Sequence, residues 1–269
     1  MHPLLTLSEI WIYPVKSLAG IRLESAQVYR KGLQFDRRWM LIDSDGVAMT
    51  QRTYPEMALF KVHIDDGEVS IDYTKANNNS STAFRISATS GNVKVARIWN
   101  DDVNVLEVDP RISEWFSLHL QKNCRLVLFP EENPRPVDPR YSVSNDHVSL
   151  ADAYPFLVIG QSSLDDLNQR LSSPVPMNRF RPNFVFTGGN AYLEDQFRDF
   201  SIGNIRFVGV KNCARCALPT VNQDTAERGV EPLRTLTAYR KVDHKVLFGR
   251  NLVALNEGKI SVGQPLIPG

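Results

Sequence analysis

The sequence predicts a mainly β protein, a β-barrel or related closed sheet with a few short helices. Three observations predict it: many short runs that alternate with period 2, turn signals at roughly 8 to 12 residue intervals, and few stretches with helical apolar spacing.

Leu5 to Val15 alternates and is rich in Ile, Trp and Tyr, and Ile21 to Tyr29 alternates again. Between them, Pro14-Val15-Lys16-Ser17-Leu18-Ala19-Gly20 makes a turn carrying one cation and one hydroxyl. Such a turn reads either as an anion site, with backbone N–H groups beside Lys16 and Ser17, or as an ordinary solvated lysine. Arg38 to Asp43, the turn Ser44-Asp45-Gly46 and Val47 to Met49 predict a hairpin. Ahead of it, Arg37 and Arg38 are neighbours on a strand, so only one of them points into any one site. Arg52, just past the hairpin, is a further candidate.

Strands follow at Leu59 to Ile64 and Val69 to Tyr73, and Asn77-Asn78-Asn79-Ser80-Ser81 reads as a polar loop. Phe84 to Ile86, Val93 to Trp99 and Val103 to Val108 continue the strands, with a turn at Asn100-Asp101-Asp102. A helix is expected from about Arg111 to Gln121, opened by Pro110, with Ile112, Trp115, Phe116 and Leu120 as its apolar stripe. Cys124 and the run Arg125 to Phe129 read as core strand. Pro130 to Arg140 holds four prolines among charged residues and reads as a surface connection.

Tyr154 to Ile159 is an apolar strand, and Ser162-Ser163-Leu164-Asp165 predicts a capping box opening a helix that buries Leu164, Leu167 and Leu171. Arg179 and Arg181, two apart on a segment read as extended, would share a face just before Asn183 and the strand Phe184 to Phe186. That group suits a cofactor phosphate or heterocycle; the alternative is an ion pair with Asp195 or Asp199 at a strand end. Glu231 to Arg240 reads as a short helix, and strands at Leu252 to Leu255 and Lys259 to Val262 complete the chain.

Composition excludes several classes. The 31 basic residues are matched by 30 acidic ones along 269 residues, which argues against a nucleic-acid partner. Three cysteines are too few for a disulfide scaffold and fit a reducing compartment. No apolar run approaches a membrane span and no signal peptide is visible, so a soluble cytoplasmic protein with no membrane partner is expected. Of the histidines, His147 lies nearest the site in sequence and reads as structural.

Two of the three cysteines stand together in Lys211-Asn212-Cys213-Ala214-Arg215-Cys216-Ala217-Leu218-Pro219-Thr220. A thiolate is both a nucleophile and a soft metal ligand, and Arg215 is placed to favour it. The pair therefore reads as a metal ligand, as a redox dithiol, or as two small buried residues at a strand end.

Taken in order, Tyr13-Pro14-Val15-Lys16-Ser17, Asp36-Arg37-Arg38-Trp39, Phe180-Arg181-Pro182-Asn183, Tyr192-Leu193-Glu194-Asp195, Cys213-Ala214-Arg215-Cys216 and Val262-Gly263-Gln264-Pro265 resemble the MOSC superfamily with its N-terminal β-barrel domain. That grouping includes the mitochondrial amidoxime reducing component, its bacterial relatives and the C-terminal domain of molybdenum cofactor sulfurase. The resemblance covers nearly the whole chain. It implies an N-terminal MOSC-type β-barrel domain over 1–122 and a MOSC β-barrel domain over 123–269.

The resemblance further implies a molybdenum–molybdopterin cofactor whose metal is bound by one protein cysteine, matching Cys216, which would also be the catalytic residue. Lys16, Ser17, Arg37, Arg181 and Asn183 would hold the phosphate and pterin, together with backbone groups at Asp152, Ala153 and Tyr154 and around Ala214 and Arg215. The implied reaction is two-electron reduction of a small N-hydroxylated substrate, a base or amidoxime, with molybdenum cycling between its IV and VI states. A family-level association with pyridoxal phosphate comes with the same resemblance. Bacterial relatives often add a ferredoxin-like domain with four cysteines, which is not seen before Gly269. Electrons are therefore expected from a separate donor protein of ferredoxin or flavin reductase type. Mitochondrial relatives carry a targeting segment that this chain does not show, which again points to the cytoplasm. The competing readings are a non-catalytic carrier of the cofactor or of persulfide sulfur on Cys216, and a dithiol redox protein using Cys213 and Cys216.

Overall fold

The computed structural model describes residues 4–75 and 78–269. Its first part runs β1 (Thr6–Ile12), β2 (Ile21–Leu23), β3 (Ser25–Tyr29), β4 (Gly32–Leu33), β5 (Trp39–Ile42), β6 (Phe60–Asp65), β7 (Glu68–Lys75) and β8 (Asn78–Arg85). Then come β9 (Val93–Ile98), β10 (Asp101–Glu107), α1 (Pro110–Leu120) and β11 (Arg125–Leu128). The second part runs β12 (Phe156–Gly160), α2 (Gln161–Arg170), β13 (Phe184–Thr187), β14 (Asp199–Ile202) and β15 (Ile205–Ala214). It ends with α3 (Leu233–Tyr239), β16 (Lys241–Val242), β17 (Lys245–Ala254), β18 (Gly258–Ser261) and β19 (Leu266–Pro268). Strands dominate and sheets curl, as the alternation predicts.

The largest sheet has the order β19-β14-β15-β17-β12-β13-β1-β2, with β16 on β17. It bends back on itself: the Leu7 amide donates to Gln264 O at 2.9 Å and the Leu266 amide to Leu5 O at 2.9 Å. Its inner face packs Phe156, Phe184, Phe186 and Phe207 with aliphatic residues of β1 and β3. The first strands of the chain thus complete a sheet built mostly from residues 156 onward. A second body joins β5-β11-β10-β9 and β6-β7-β8 under α1, around Trp39, Phe60, Phe116 and Leu126. In α1, Asp109 caps the helix by accepting from the Arg111 amide at 2.8 Å, and Ile112 and Phe116 face the core. No helix among the described residues is long and apolar enough to cross a membrane.

Several expectations need correcting. Asn78 to Ser81, read as loop, belong to β8 and pair with Asp72 to Lys75, so backbone pairing overrides poor strand propensity there; Asn77 lies outside the described residues. The hairpin at Ser44-Asp45-Gly46 does form, with the Asp43 amide donating to Val47 O at 3.0 Å and the Met49 amide to Leu41 O at 2.8 Å around the Ile42–Ala48 bridge, though its second arm is short. The β9–β10 turn is Trp99-Asn100, one residue earlier than expected, because Ile98 pairs with Asp101.

The capping box at Ser162 does not form either. α2 starts at Gln161, and the Ser163 hydroxyl is occupied elsewhere: it donates to Glu194 Oε2 at 2.9 Å and accepts from the Tyr192 amide at 2.7 Å. Glu194 is fully buried, and burial pushes its carboxyl up to about 7, partly offset by bonds from backbone amides and Ser163. A carboxyl raised in the folded state supports the fold fully below its unfolded pKa and costs stability as pH climbs toward its folded value. The wild type should therefore lose up to about 3 kcal/mol between pH 4.5 and 7 that Glu194→Gln does not lose. Urea unfolding of both proteins at pH 5 and pH 8 checks this.

Candidate active site

Six stretches of chain meet around a pocket of about 300 Å³: the turn after β1, Arg37 ahead of β5, Arg52, the loop 151–154 before β12, the segment 180–183 before β13, and 211–216 at the end of β15. Lys16, Ser17, Arg37, Asp152, Ala153, Tyr154, Arg181, Asn183, Ala214, Arg215 and Cys216 all line it. Residues up to 200 positions apart in sequence are thus brought to one cavity.

Two local features aim these side chains inward. A regular strand alternates its faces, yet Lys211 to Cys216 line the pocket consecutively. The β15–β17 register shifts between Gly209 and Lys211 and again between Asn212 and Ala214, and such bulges re-aim side chains. Gly209 permits the close approach this requires: a Cβ there would stand 2.1 Å from Phe197 O. The second feature is backbone strain, because Ser17, Arg37 and Arg181 all have left-handed φ, at 66°, 52° and 55°. Non-glycine residues adopt that conformation at a cost of about 1 kcal/mol or more, and they concentrate where a site demands it.

The pocket is strongly cationic. Lys16, Arg37, Arg52, Arg181, Lys211 and Arg215 face one carboxylate, Asp152. The rings and planes are stacked: the guanidinium carbons of Arg37 and Arg181 lie 4.3 and 4.0 Å from the Tyr13 ring centroid. Arg37 Nη1 also pairs with buried Asp36 at 2.6 Å, and Arg181 Nη1 donates to Leu18 O at 2.7 Å. Burial pushes Arg181 down to about 10 and depresses Lys16 as well. Lys16 Nζ donates to Leu150 O at 2.8 Å and to Asp152 Oδ1 at 2.5 Å. Desolvation opposes ionisation of Asp152, but the charges of Lys16 and then Arg52 outweigh it and hold the carboxyl well below the usual carboxylate range.

The two cysteines occupy different surroundings, and neither is in a disulfide. Arg215 Nη1 donates to Cys213 Sγ at 3.1 Å, so the arginine expected to serve the reactive sulfur holds its neighbour instead. The cation at Cys216 is Arg52, whose Nη1 lies 3.8 Å from Cys216 Sγ and 3.1 Å from Asp152 Oδ2. Trp99, 57% exposed, stacks on that guanidinium with 4.4 Å from Cζ to the ring centroid. Among the described residues no three His, Cys, Asp or Glu side chains gather as metal ligands, so a metal at Cys216 would take most of its donors from a cofactor.

Other expectations fare differently. Arg179 and Arg181 do not share a face, because Met177–Arg179 form a 3-10 turn and Arg181 is left-handed. Arg179 reaches Pro219 O instead, and Asp195 pairs with Arg240. His147 lies outside this pocket, against a second one beside Lys31 and Glu131. Asp152 contributes its carboxylate and not only backbone groups. Tyr13, Arg52, Lys211 and Asn251 also belong to the site or its support. Arg52 had a sequence signal, its position after the hairpin; Tyr13 lay inside the first motif without a stated role.

Residues 4–123 match the MOSC N-terminal beta barrel domain and residues 145–267 match the MOSC domain. Along 97% of its length the chain is 32% identical to mitochondrial amidoxime-reducing component 1 of Mus musculus, covering 81% of that protein. The chain belongs to the MOSC family. The Homo sapiens amidoxime-reducing component 1 is likewise 32% identical over 97% of this MOSC protein, which covers 82% of it. The molybdenum cofactor sulfurase of Arabidopsis thaliana is 31% identical over 90% of the chain, which spans 32% of that longer protein.

Proposed function

We propose that this MOSC protein binds the molybdenum–molybdopterin cofactor in the cationic pocket, with Cys216 as its one protein ligand, and reduces small N-hydroxylated compounds using a separate electron-donor protein. The observation that carries the reading is one pocket holding two half-buried thiols beside six cations, with Cys213 engaged by Arg215 and Cys216 met only by Arg52 at 3.8 Å. The donor set suits an anionic, acceptor-rich ligand. Arg181 Nη2 and Arg215 Nε are buried N–H groups without a partner, and both belong to pocket-lining arginines. Such orphans cost about 1 to 3 kcal/mol each and are satisfied when a ligand oxygen or ring nitrogen arrives.

Lys16, Ser17, Arg37 and Arg181 would hold the phosphoryl and pterin parts, and the amides of the 152–154 loop would complete the wall. Asn183 fixes the frame: its Nδ2 donates to Asp36 Oδ2 at 3.1 Å while its Oδ1 accepts from Arg37 and the Leu157 amide. Bound there, the cofactor supplies two-electron oxygen removal from an N–O group. Cys216 and Asp152 both meet Nη1 of Arg52, so one guanidinium orients both the sulfur and a carboxylate of the pocket. The relatives' printed names, amidoxime-reducing component and molybdenum cofactor sulfurase, favour the same cofactor chemistry.

Protein made in cells with and without molybdopterin synthesis tests the reading by metal analysis. About one molybdenum per chain is expected only in the first, with turnover of an N-hydroxylated base when a reductant is supplied. Metal-free protein carrying a sulfur adduct on Cys216 would replace it with the carrier reading.

A further inference from the structure

Arg135 sits in the proline-rich stretch that the sequence marks as a surface connection, yet it is 3% exposed. Its fork is fully engaged. Nη1 donates to Ser149 O at 2.7 Å and Ala151 O at 2.5 Å, Nη2 to Asp152 O at 3.2 Å, and Nε to Asp101 Oδ2 at 2.9 Å. The remaining carbonyl of that run, Leu150 O, is taken by Lys16 Nζ at 2.8 Å. Four consecutive carbonyls are therefore claimed by two cations. The amides tell the complementary story: Leu150 N donates to Arg37 O, but among the described residues no protein acceptor takes the N–H of Ala151, Asp152, Ala153 or Tyr154. All four of those residues line the cationic pocket.

We infer that Arg135 is the positioning residue of an anion-binding amide wall: by holding the carbonyls of Ser149, Ala151 and Asp152 on its own side, it leaves the 151–154 amides for a phosphoryl group in the pocket. Successive free backbone amides make an anion site only while the peptide planes are fixed, and a guanidinium with several rigid donors fixes them where a lysine's point charge does not. Asp101, at the tip of the β9–β10 hairpin, braces the guanidinium from outside, at 2.8 Å from Nη2. The loop's shape is thus set jointly by the hairpin, the connection and the turn carrying Lys16. The identity of the anion as a cofactor phosphate rests on the proposed function; the role of Arg135 does not.

The test uses the full chain from cells unable to make molybdopterin, with inorganic phosphate as probe, and reads the rise in Tm from zero to saturating phosphate. Wild type should rise, Arg135→Lys should keep part of the rise, and Arg135→Met should keep less than about a third of it. A merely structural arginine lowers Tm with and without phosphate alike and leaves the rise intact; that result overturns the inference, as does no rise in wild type. Should Arg135→Met fail to fold, Asp101→Ala, at an exposed carboxylate, keeps the question open to measurement: phosphate binding about two- to fivefold weaker is expected, and unchanged binding overturns the role. Wild type that takes up no molybdopterin in competent cells, yet binds phosphate in this Arg135-dependent way, ends the cofactor reading and leaves the inference standing.

Discussion

Cys216→Ala is expected to carry less than about a tenth of the wild-type molybdenum and to lose turnover of N-hydroxylated substrates by at least about a thousandfold, whereas Cys213→Ser keeps its metal and activity within about threefold. The asymmetry follows from the surroundings of the two sulfurs. Cys213 is engaged by Arg215 Nη1 at 3.1 Å, and that arginine is itself anchored by donating from Nη2 to Phe180 O at 2.7 Å. A serine hydroxyl accepts the same bond. Cys216 has only Arg52 at 3.8 Å, a loose contact that leaves the sulfur's remaining directions to a ligand. Alanine there removes the soft donor left open to a ligand; the other sulfur of the lining, Cys213, is held by Arg215, and nitrogen and oxygen donors do not replace thiolate for a thiophilic metal. Metal analysis of the two variants beside wild type decides it, with far-UV circular dichroism confirming the fold. Equal loss in both variants would favour a dithiol mechanism and remove the single-ligand assignment.

What the sequence makes legible is what local pattern encodes. β6, β7, β9 and β10 alternate apolar and polar residues because one face of each packs on a core, and the register of a half-buried strand is fixed by that alternation. α1 is readable from Pro110 and its apolar stripe. Pairing between distant strands has no such trace: that β1 lies beside β13, some 177 residues on, is settled by the closing of a sheet and not by any feature of Thr6 to Ile12. The site divides in the same way. Many of its residue types stand in four short motifs, but their directions depend on left-handed backbone at Ser17, Arg37 and Arg181, which nothing in these non-glycine residues announces. Spacing alone therefore puts Arg179 on the face of Arg181, which the backbone does not allow. Arg135 was hidden for a different reason: proline density marks backbone that lacks donors, and the side chain of one arginine inside it is silent about burial.

Arg52→Met is the second large effect, expected to lower kcat/KM by about ten- to a hundredfold while Arg52→Lys recovers only part of it. Methionine keeps much of the stem's volume and its contact with Trp99 but removes the charge, and one charge-assisted hydrogen bond is worth about 1.5 to 3 kcal/mol. Arg52 is 21% exposed in its side chain and touches Asp152 and Cys216 through the same nitrogen, Nη1. Without it, Asp152 is left to Lys16 alone, and the carboxylate is drawn toward Lys16 Nζ, the group proposed to receive the phosphoryl anion. Two consequences are separable. Weaker cofactor retention would arise through Lys16 and should be relieved by adding Asp152→Asn to Arg52→Met, since the amide no longer competes for the ammonium. Lost orientation of Cys216 would not be relieved, because no other cation lies against that sulfur among the described residues. A double-mutant cycle over Arg52 and Asp152, read in molybdenum content and in kcat/KM per molybdenum, separates them. Recovery of content with kcat/KM per molybdenum still depressed is the expected outcome; full recovery of both would reduce Arg52 to a counter-ion of Asp152.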